Sequence, residues 1–179
     1  MITKYFLKKR ILRSIDSPRP ANLIDFNDAK TIAIVSMVTK DLRYNGAGEE
    51  LNRFAAGSNN EFFFYAHPKL QIPDDFIGGK LHRISGKDFS FFGFPKVHLL
   101  ENIRAKQFDL LINIDFSNHI FSHFLSSEIP AKFKVGLSVD EFTNIYDLTL
   151  RLAENNTTDE FFKHLNFYLN ALKGKPYEK

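Results

Sequence analysis

Cysteine is absent from all 179 residues, and so is tryptophan. The first absence excludes disulfides, zinc–thiolate sites and cysteine nucleophiles, and it suits a reducing compartment such as the cytoplasm. No apolar run approaches the roughly 20 residues that a transmembrane helix needs. Residues 1–15 lack the apolar length and the small-residue cleavage site of a signal peptide. Acidic residues are missing from one place in particular. Residues 1–14 carry Lys4, Lys8, Lys9, Arg10 and Arg13 without a single acid, which leaves 19 basic and 21 acidic side chains in the rest. The formal net charge of +3 therefore belongs to an N-terminal arm, and the body is slightly acidic.

What the chain has in quantity is phenylalanine, 20 copies of it, enough for a bulky aromatic core. The length suits one domain that folds without metal or disulfide staples. Residues 1–15 read as a basic N-terminal helix or arm and 16–30, with Pro18 and Pro20, as an extended connection. A single α/β domain is expected over 31–174, with a frayed tail at 175–179.

Within that domain TIAIVSMV (31–38) and EFFFYA (61–66) are short apolar runs, the pattern of interior parallel strands. Residues 48–56 suit a helix, 80–85 a third strand and 96–106 another helix. LLINI (110–114) is a buried strand, followed by a helix capped by Ser117 with Ile120, Phe121, Phe124 and Leu125 on one face. AKFKVGLS (131–138) alternates, which puts Phe133, Val135 and Leu137 inward and Lys132 and Lys134 on a wet face. About seven residues separate it from YDLTLRL (146–152), too few for a crossover helix, so that strand is expected to run antiparallel beside its predecessor. A last helix opens on the capping-box pair Thr157 and Glu160 and buries Phe161, Leu165, Tyr168 and Leu172. Together these elements predict a Rossmann-like three-layer α/β sandwich with a mostly parallel sheet of five or six strands. Ligands of such sheets bind beyond the carboxyl ends of the strands, which singles out loops 39–48, 67–79 and 115–119.

The segment FDLLINID, a helix and then KFKVGLS (108–138) resembles the end of the N-terminal domain of family 9, heptosyltransferase-type glycosyltransferases, where a "YDLVIDL"-like and an "RIG"-like strand hold the same places. The resemblance implies a nucleotide or sugar held at the strand ends. Those enzymes work in a cleft between two domains, and this chain supplies only the first, so a complete transferase acting alone is not expected. RPANLIDFNDAKTIAIVSMV resembles an uncharacterised family of Bacteroidota, a likeness that carries no activity.

Five features carry possible chemistry. Asp115 ends a strand where α/β enzymes place functional carboxylates, and with Ser117 and Asn118 it forms the candidate ligand-binding set. Capping of the next helix is the simpler role for Asp115 or Ser117. Asn45-Gly46-Ala47-Gly48 stops at two glycines of a phosphate loop, and Glu49 and Glu50 would repel a phosphate, so a turn is the better reading. His119 and His123 lie four apart without a third ligand, and both are expected on the surface or flank of their helix, with no metal site. The loop KDFSFFGFPK (87–96) interleaves bases and aromatics. A flap over the core is expected, and exposed aromatics there would instead mark a partner surface. Finally, Lys4, Lys8, Lys9, Arg10 and Arg13 form a candidate membrane or partner contact. Lys9 and Arg10 interrupt the apolar side of a helix here, however, so a packed or frayed terminal helix is the better reading.

Catalytic residues and a cofactor are not evident. The leading expectation is a non-catalytic soluble α/β binding or accessory module in the cytoplasm, peripheral to the inner membrane through its basic arm. Its partner would be a protein, a small molecule or an anionic membrane surface. Nucleic acid is disfavoured by the acidic body. The alternative is a glycosyltransferase-like fragment that binds a nucleotide or sugar.

Overall fold

Six of the apolar runs line up as one parallel sheet. The computed structural model describes residues 2–15, 29–38, 59–66, 80–138, 141–151 and 157–172. Strands β1 (Thr31–Val38), β2 (Asn59–Ala66), β3 (Lys80–Ile84), β4 (Phe108–Asn113), β5 (Ala131–Leu137) and β6 (Leu148–Leu150) are joined in the order β3-β2-β1-β4-β5-β6. Every neighbouring pair is parallel. This is the Rossmann order, and the direction of travel across the sheet reverses between β1 and β4. The expected helix at 48–56, the loops 39–48 and 67–79 and the tail at 175–179 lie outside the described residues, as does most of the 16–30 connection.

The two central strands are apolar on both faces. Ala33 and Val35 of β1 look to one side with Leu111 of β4, while Ile32 and Ile34 share the other side with Leu110 and Ile112, and all of them are buried. Strands covered on both faces read as unbroken apolar runs, which is why LLINI and TIAIV show no alternation. Helix α1 (Ile2–Ile15) places Leu7 and Ile11 in the main core cluster, beside α2 (Val97–Arg104) through Leu99 and Ile103 and α3 (Ile120–Glu128) through Phe124 and Leu125. The basic arm is thus a packed helix. Its outer face still shows Tyr5, Lys9, Leu12 and Arg13 to solvent.

One buried carboxylate ties the three helices. Glu128, at the end of α3, accepts from both Arg10 of α1 and Arg104 of α2. At the amino edge of the sheet Asp109 does a similar job. It accepts from the Lys30 and Thr31 amides, the Thr31 hydroxyl and the Lys132 ammonium. The Lys132 hydrogen bond leads the effects that hold its carboxyl below the usual range.

Four expectations need correction. β6 runs parallel to β5, not antiparallel. Its connection, residues 138–147, contains a 3-10 turn (Thr143–Ile145) and buries Phe142, Ile145 and Tyr146. Ten residues can span up to roughly 30 Å, enough to return along a three-residue strand without an α-helix. Lys134 is not on a wet face. It is buried under α3 and donates to the Ser126 and Ser127 carbonyls, which the last turn of a helix leaves without partners. The final helix, α4 (Thr158–Leu172), has the expected capping box, with Thr157 and Glu160 exchanging backbone hydrogen bonds. Its buried stripe is Phe161, Phe162, Leu165 and Leu169, however, and Tyr168 is exposed. Lastly, α3 is capped by His119, whose Nδ1 accepts from the Phe121 amide, and not by Ser117.

Candidate functional site

The carboxyl end of β4 lies beside β1, at the point where the strand order reverses. Asp115 lies two residues past the end of β4 and is only 4% exposed. Its Oδ1 accepts from the Ser117 amide (3.0 Å) and hydroxyl (2.5 Å), and its Oδ2 from the His119 amide (2.8 Å) and the Ser122 hydroxyl (2.7 Å). Each carboxylate oxygen thus has protein donors of its own, although the single Ser122 hydroxyl hydrogen is shared with the His119 carbonyl at 2.8 Å. Asp115 therefore builds the turn that precedes α3, while the capping role expected of Asp115 or Ser117 falls to His119. Asn118 completes that turn in the left-handed region (φ 52°), which an amide side chain tolerates better than most.

Behind the turn runs a buried polar chain whose direction is set by its first link. The Asp115 amide donates to Asn113 Oδ1, so Asn113 must present its NH2 to Tyr146 Oη (2.6 Å). Tyr146 then has its hydroxyl hydrogen left for His123 Nδ1 (2.9 Å), and the His123 Nε2–H donates to Asn118 Oδ1 (2.6 Å). Each donor meets an acceptor only if His123 is neutral with its hydrogen on Nε2. Burial lowers the His123 pKa from 6.5 to about 4, although the Asp115 carboxylate pulls the other way. Burial likewise raises the Tyr146 pKa and lowers that of His119.

His123 was expected on the surface or flank of α3. It is 3% exposed, against Phe142 at 4.8 Å. Helix periodicity put it outside the apolar stripe because a histidine scores as polar, whereas this face of α3 meets a polar strand end. The clue was Asn113, one amide in the apolar run LLINI, in register with buried Val35. The histidine pair does not converge, since His119 caps the helix and His123 points to Tyr146. No group of three His, Cys, Asp or Glu among the described residues could hold a metal ion.

A second constellation lies on the outer surface. The loop expected to close as a flap sends only Phe89 into the core. Phe91 is 99% exposed, Phe92 64%, and Phe94 is exposed as well. The correction has a geometric cause. An isolated bridge between Phe89 and Pro95 closes the loop base, and the Gly93 amide bonds the Ser90 carbonyl (2.8 Å). That leaves Phe91 and Phe92 at the two central positions of a tight turn, exposed to solvent. Gly93 has φ 76°, a conformation that strains any residue with a Cβ. Ser90 reinforces the turn through both its amide and its hydroxyl, each bonded to Phe94 (2.7 and 3.0 Å).

The loop leans on α1, with the Phe6 and Phe94 rings 4.9 Å apart. Between them is a cleft of about 210 Å³ lined by Phe6, Lys9, Arg10, Arg13, Phe94 and Pro95. The structure thus brings four of the five candidate cations to different duties. Arg10 is held by Glu128, Lys8 pairs with Glu141, and Lys9 and Arg13 face the cleft without an ion pair among the described residues. Lys4 is exposed near His119.

The sheet order and the helices on it define a Rossmann-like α/β domain with a self-satisfied strand-end network and an exposed aromatic–basic face. The chain belongs to the family of unknown function DUF6913, whose family model matches residues 3–172. No curated protein and no solved structure matches it. Among the described residues no helix is long and apolar enough to cross a membrane.

Proposed function

We propose that the protein is a cytoplasmic, non-catalytic binding or accessory module that works through the face formed by α1 and the 87–96 loop. One observation carries this reading. Phe91 and Phe92 are displayed to solvent by a tight turn, near the cleft residues Lys9 and Arg13, which have no ion-pair partner among the described residues. Large apolar side chains held out in this way are costly to leave in water and mark interaction surfaces. The described polar groups past the end of β4, by contrast, already bond to one another.

The test is a photo-reactive phenylalanine analogue placed at position 91, with a control at Lys163 on the exposed side of α4. Irradiation in the cells of origin should give a discrete adduct from position 91 and none from 163. Equal labelling from both positions, or none, refutes the reading.

A second reading follows from the place of Asp115, Ser117 and Asn118. They sit beyond β4 at the reversal of strand order, where open α/β sheets bind ligands, and the likeness of 108–138 to family 9 glycosyltransferases supports it. Ser117 and Asn118 would touch a nucleotide or sugar while Asp115 holds the turn. A nucleotide or nucleotide sugar at about 100 times its Kd would add about 2.7 kcal/mol and raise Tm by about 5–10 °C. A flat thermal-shift series at millimolar ligand counts against this reading and leaves the first.

A further inference from the structure

We infer that the aromatic–basic face docks on an anionic lipid bilayer, with Phe91 and Phe92 inserted below the headgroups and Lys9 and Arg13 in contact with lipid phosphates. The inference rests on the proposal that this face is the binding surface, and it names the occupant.

Three observations select a bilayer. The first is shape. The two phenylalanines form a protruding tip at the central positions of the Ser90–Gly93 turn, a wedge that can enter an apolar layer without a preformed pocket. The second is ring geometry. Phe91 and Phe92 meet edge to face at 83°, so they cannot both stack on successive parallel bases as a single-stranded nucleic acid requires. The third is charge. Lys9 and Arg13 stand beside the cleft behind the tip, and exposed Lys87 and Lys96 flank the loop base, where the Lys96 amide bonds the Asp88 carbonyl. None of these four cations has an ion-pair partner among the described residues. Glu128, the buried acid of this region, is neutralised by two arginines. An apolar wedge with a basic collar matches the layering of an anionic interface, in which apolar groups reach about 5–10 Å deep and phosphates lie above them.

Deleting residues 1–15 is not a usable test, because Leu7 and Ile11 belong to the core. Point variants of the full chain serve instead. The probe is co-sedimentation with vesicles of phosphatidylcholine alone and of an equimolar mixture with phosphatidylglycerol, at low and high salt. The wild type should pellet with the mixed vesicles and much less with phosphatidylcholine. F91S and F92S should each weaken partitioning about tenfold, and K9Q and R13Q about fivefold each, with the charge contribution fading at high salt. Circular dichroism checks that the exposed substitutions leave the fold intact.

No pelleting of the wild type at low salt overturns the inference. So does binding that survives F91S/F92S, since it would be mere charge attraction. If vesicles fail but position 91 cross-links a protein, a second copy of the chain or an oligonucleotide, the lipid assignment falls and the binding face stands. If vesicles fail and position 91 labels nothing, both fall.

Discussion

Replacing His123 with glutamine should change how stability depends on pH, and the direction follows from the hydrogen-bond chain. In the unfolded chain a histidine gains its proton near pH 6.5. In the fold, burial among Tyr146, Asn118 and Phe142 postpones protonation to about pH 4. A proton on Nδ1 would also face the Tyr146 hydroxyl, whose hydrogen already points there. Between those two values the unfolded state binds more protons than the folded one, so stability rises with pH. The contribution is complete above pH 6.5 and is lost as pH falls toward 4, with little further change below. A shift from 6.5 to about 4 corresponds to about 3 kcal/mol. That is a large share of the 5–15 kcal/mol typical of a domain.

The measurement is urea unfolding at a series of pH values, followed by far-ultraviolet circular dichroism because the chain has no tryptophan. His119 is also lowered by burial, so the informative quantity is the difference between wild type and His123→Gln. Asp109 and Glu61 have lowered pKa values too. At Glu61 burial opposes the shift, and the Lys106 and His82 contacts outweigh it. Their contributions are complete above their unfolded values of 3.8 and 4.5 and are lost below them, so the range from pH 5 to 6.5 belongs to the histidines. At neutral pH the variant should be less stable by about 1–3 kcal/mol, the cost of the broken chain. The gap should close as the pH approaches 4. Parallel curves across this range, or an imidazole titration near 6.5 for His123 by NMR, would refute the reasoning.

Two further substitutions test the packing. Ile11→Ala should cost about 2–4 kcal/mol in denaturant unfolding, because Ile11 is fully buried, while Leu12→Ala on the outer face of α1 should change little. Gly136→Ala would put a Cβ within 2.6 Å of the Tyr146 ring. That ring is pinned at its hydroxyl by Asn113 and His123, so about 1–3 kcal/mol should be lost. Combined with Tyr146→Ala, the two costs should be less than additive.

The sheet was legible because its strands are buried on both faces. LLINI and TIAIV announce themselves as apolar runs bounded by polar residues, and the Thr157–Glu160 pair marks α4 locally. What stayed hidden depends on partners distant in sequence. Lys134 looks outward by alternation, and only the end of α3 makes its burial tolerable. His123 looks peripheral until Asn113 and Tyr146 are placed beside it. The direction of β6 turned on a length rule for crossovers, which a three-residue strand evades. Phe91 and Phe92 were assigned to the core by composition, although Ser90 and Gly93 around them carry the turn that turns them out. Composition counts residues, but a tight turn decides where they point.

Glu128 separates holding α1 in place from docking through it. The basic arm suggested five equivalent contacts, yet Arg10 is spent on Glu128 together with Arg104 of α2. The carboxylate is buried, while the Arg10 and Arg104 side chains are 37% and 51% exposed, so water screens much of each pair. Glu128→Gln should therefore cost about 1–2 kcal/mol, less than the 3–5 kcal/mol of a fully buried pair. The same change removes the acid beneath the cleft and leaves two guanidinium groups uncompensated. If Arg10 is a strut, binding to phosphatidylglycerol vesicles should persist or strengthen in Glu128→Gln even as the denaturation midpoint falls. A variant that keeps its stability but loses the vesicles would make the Arg10–Glu128 pair part of the docking surface, and the division of labour along α1 would be wrong.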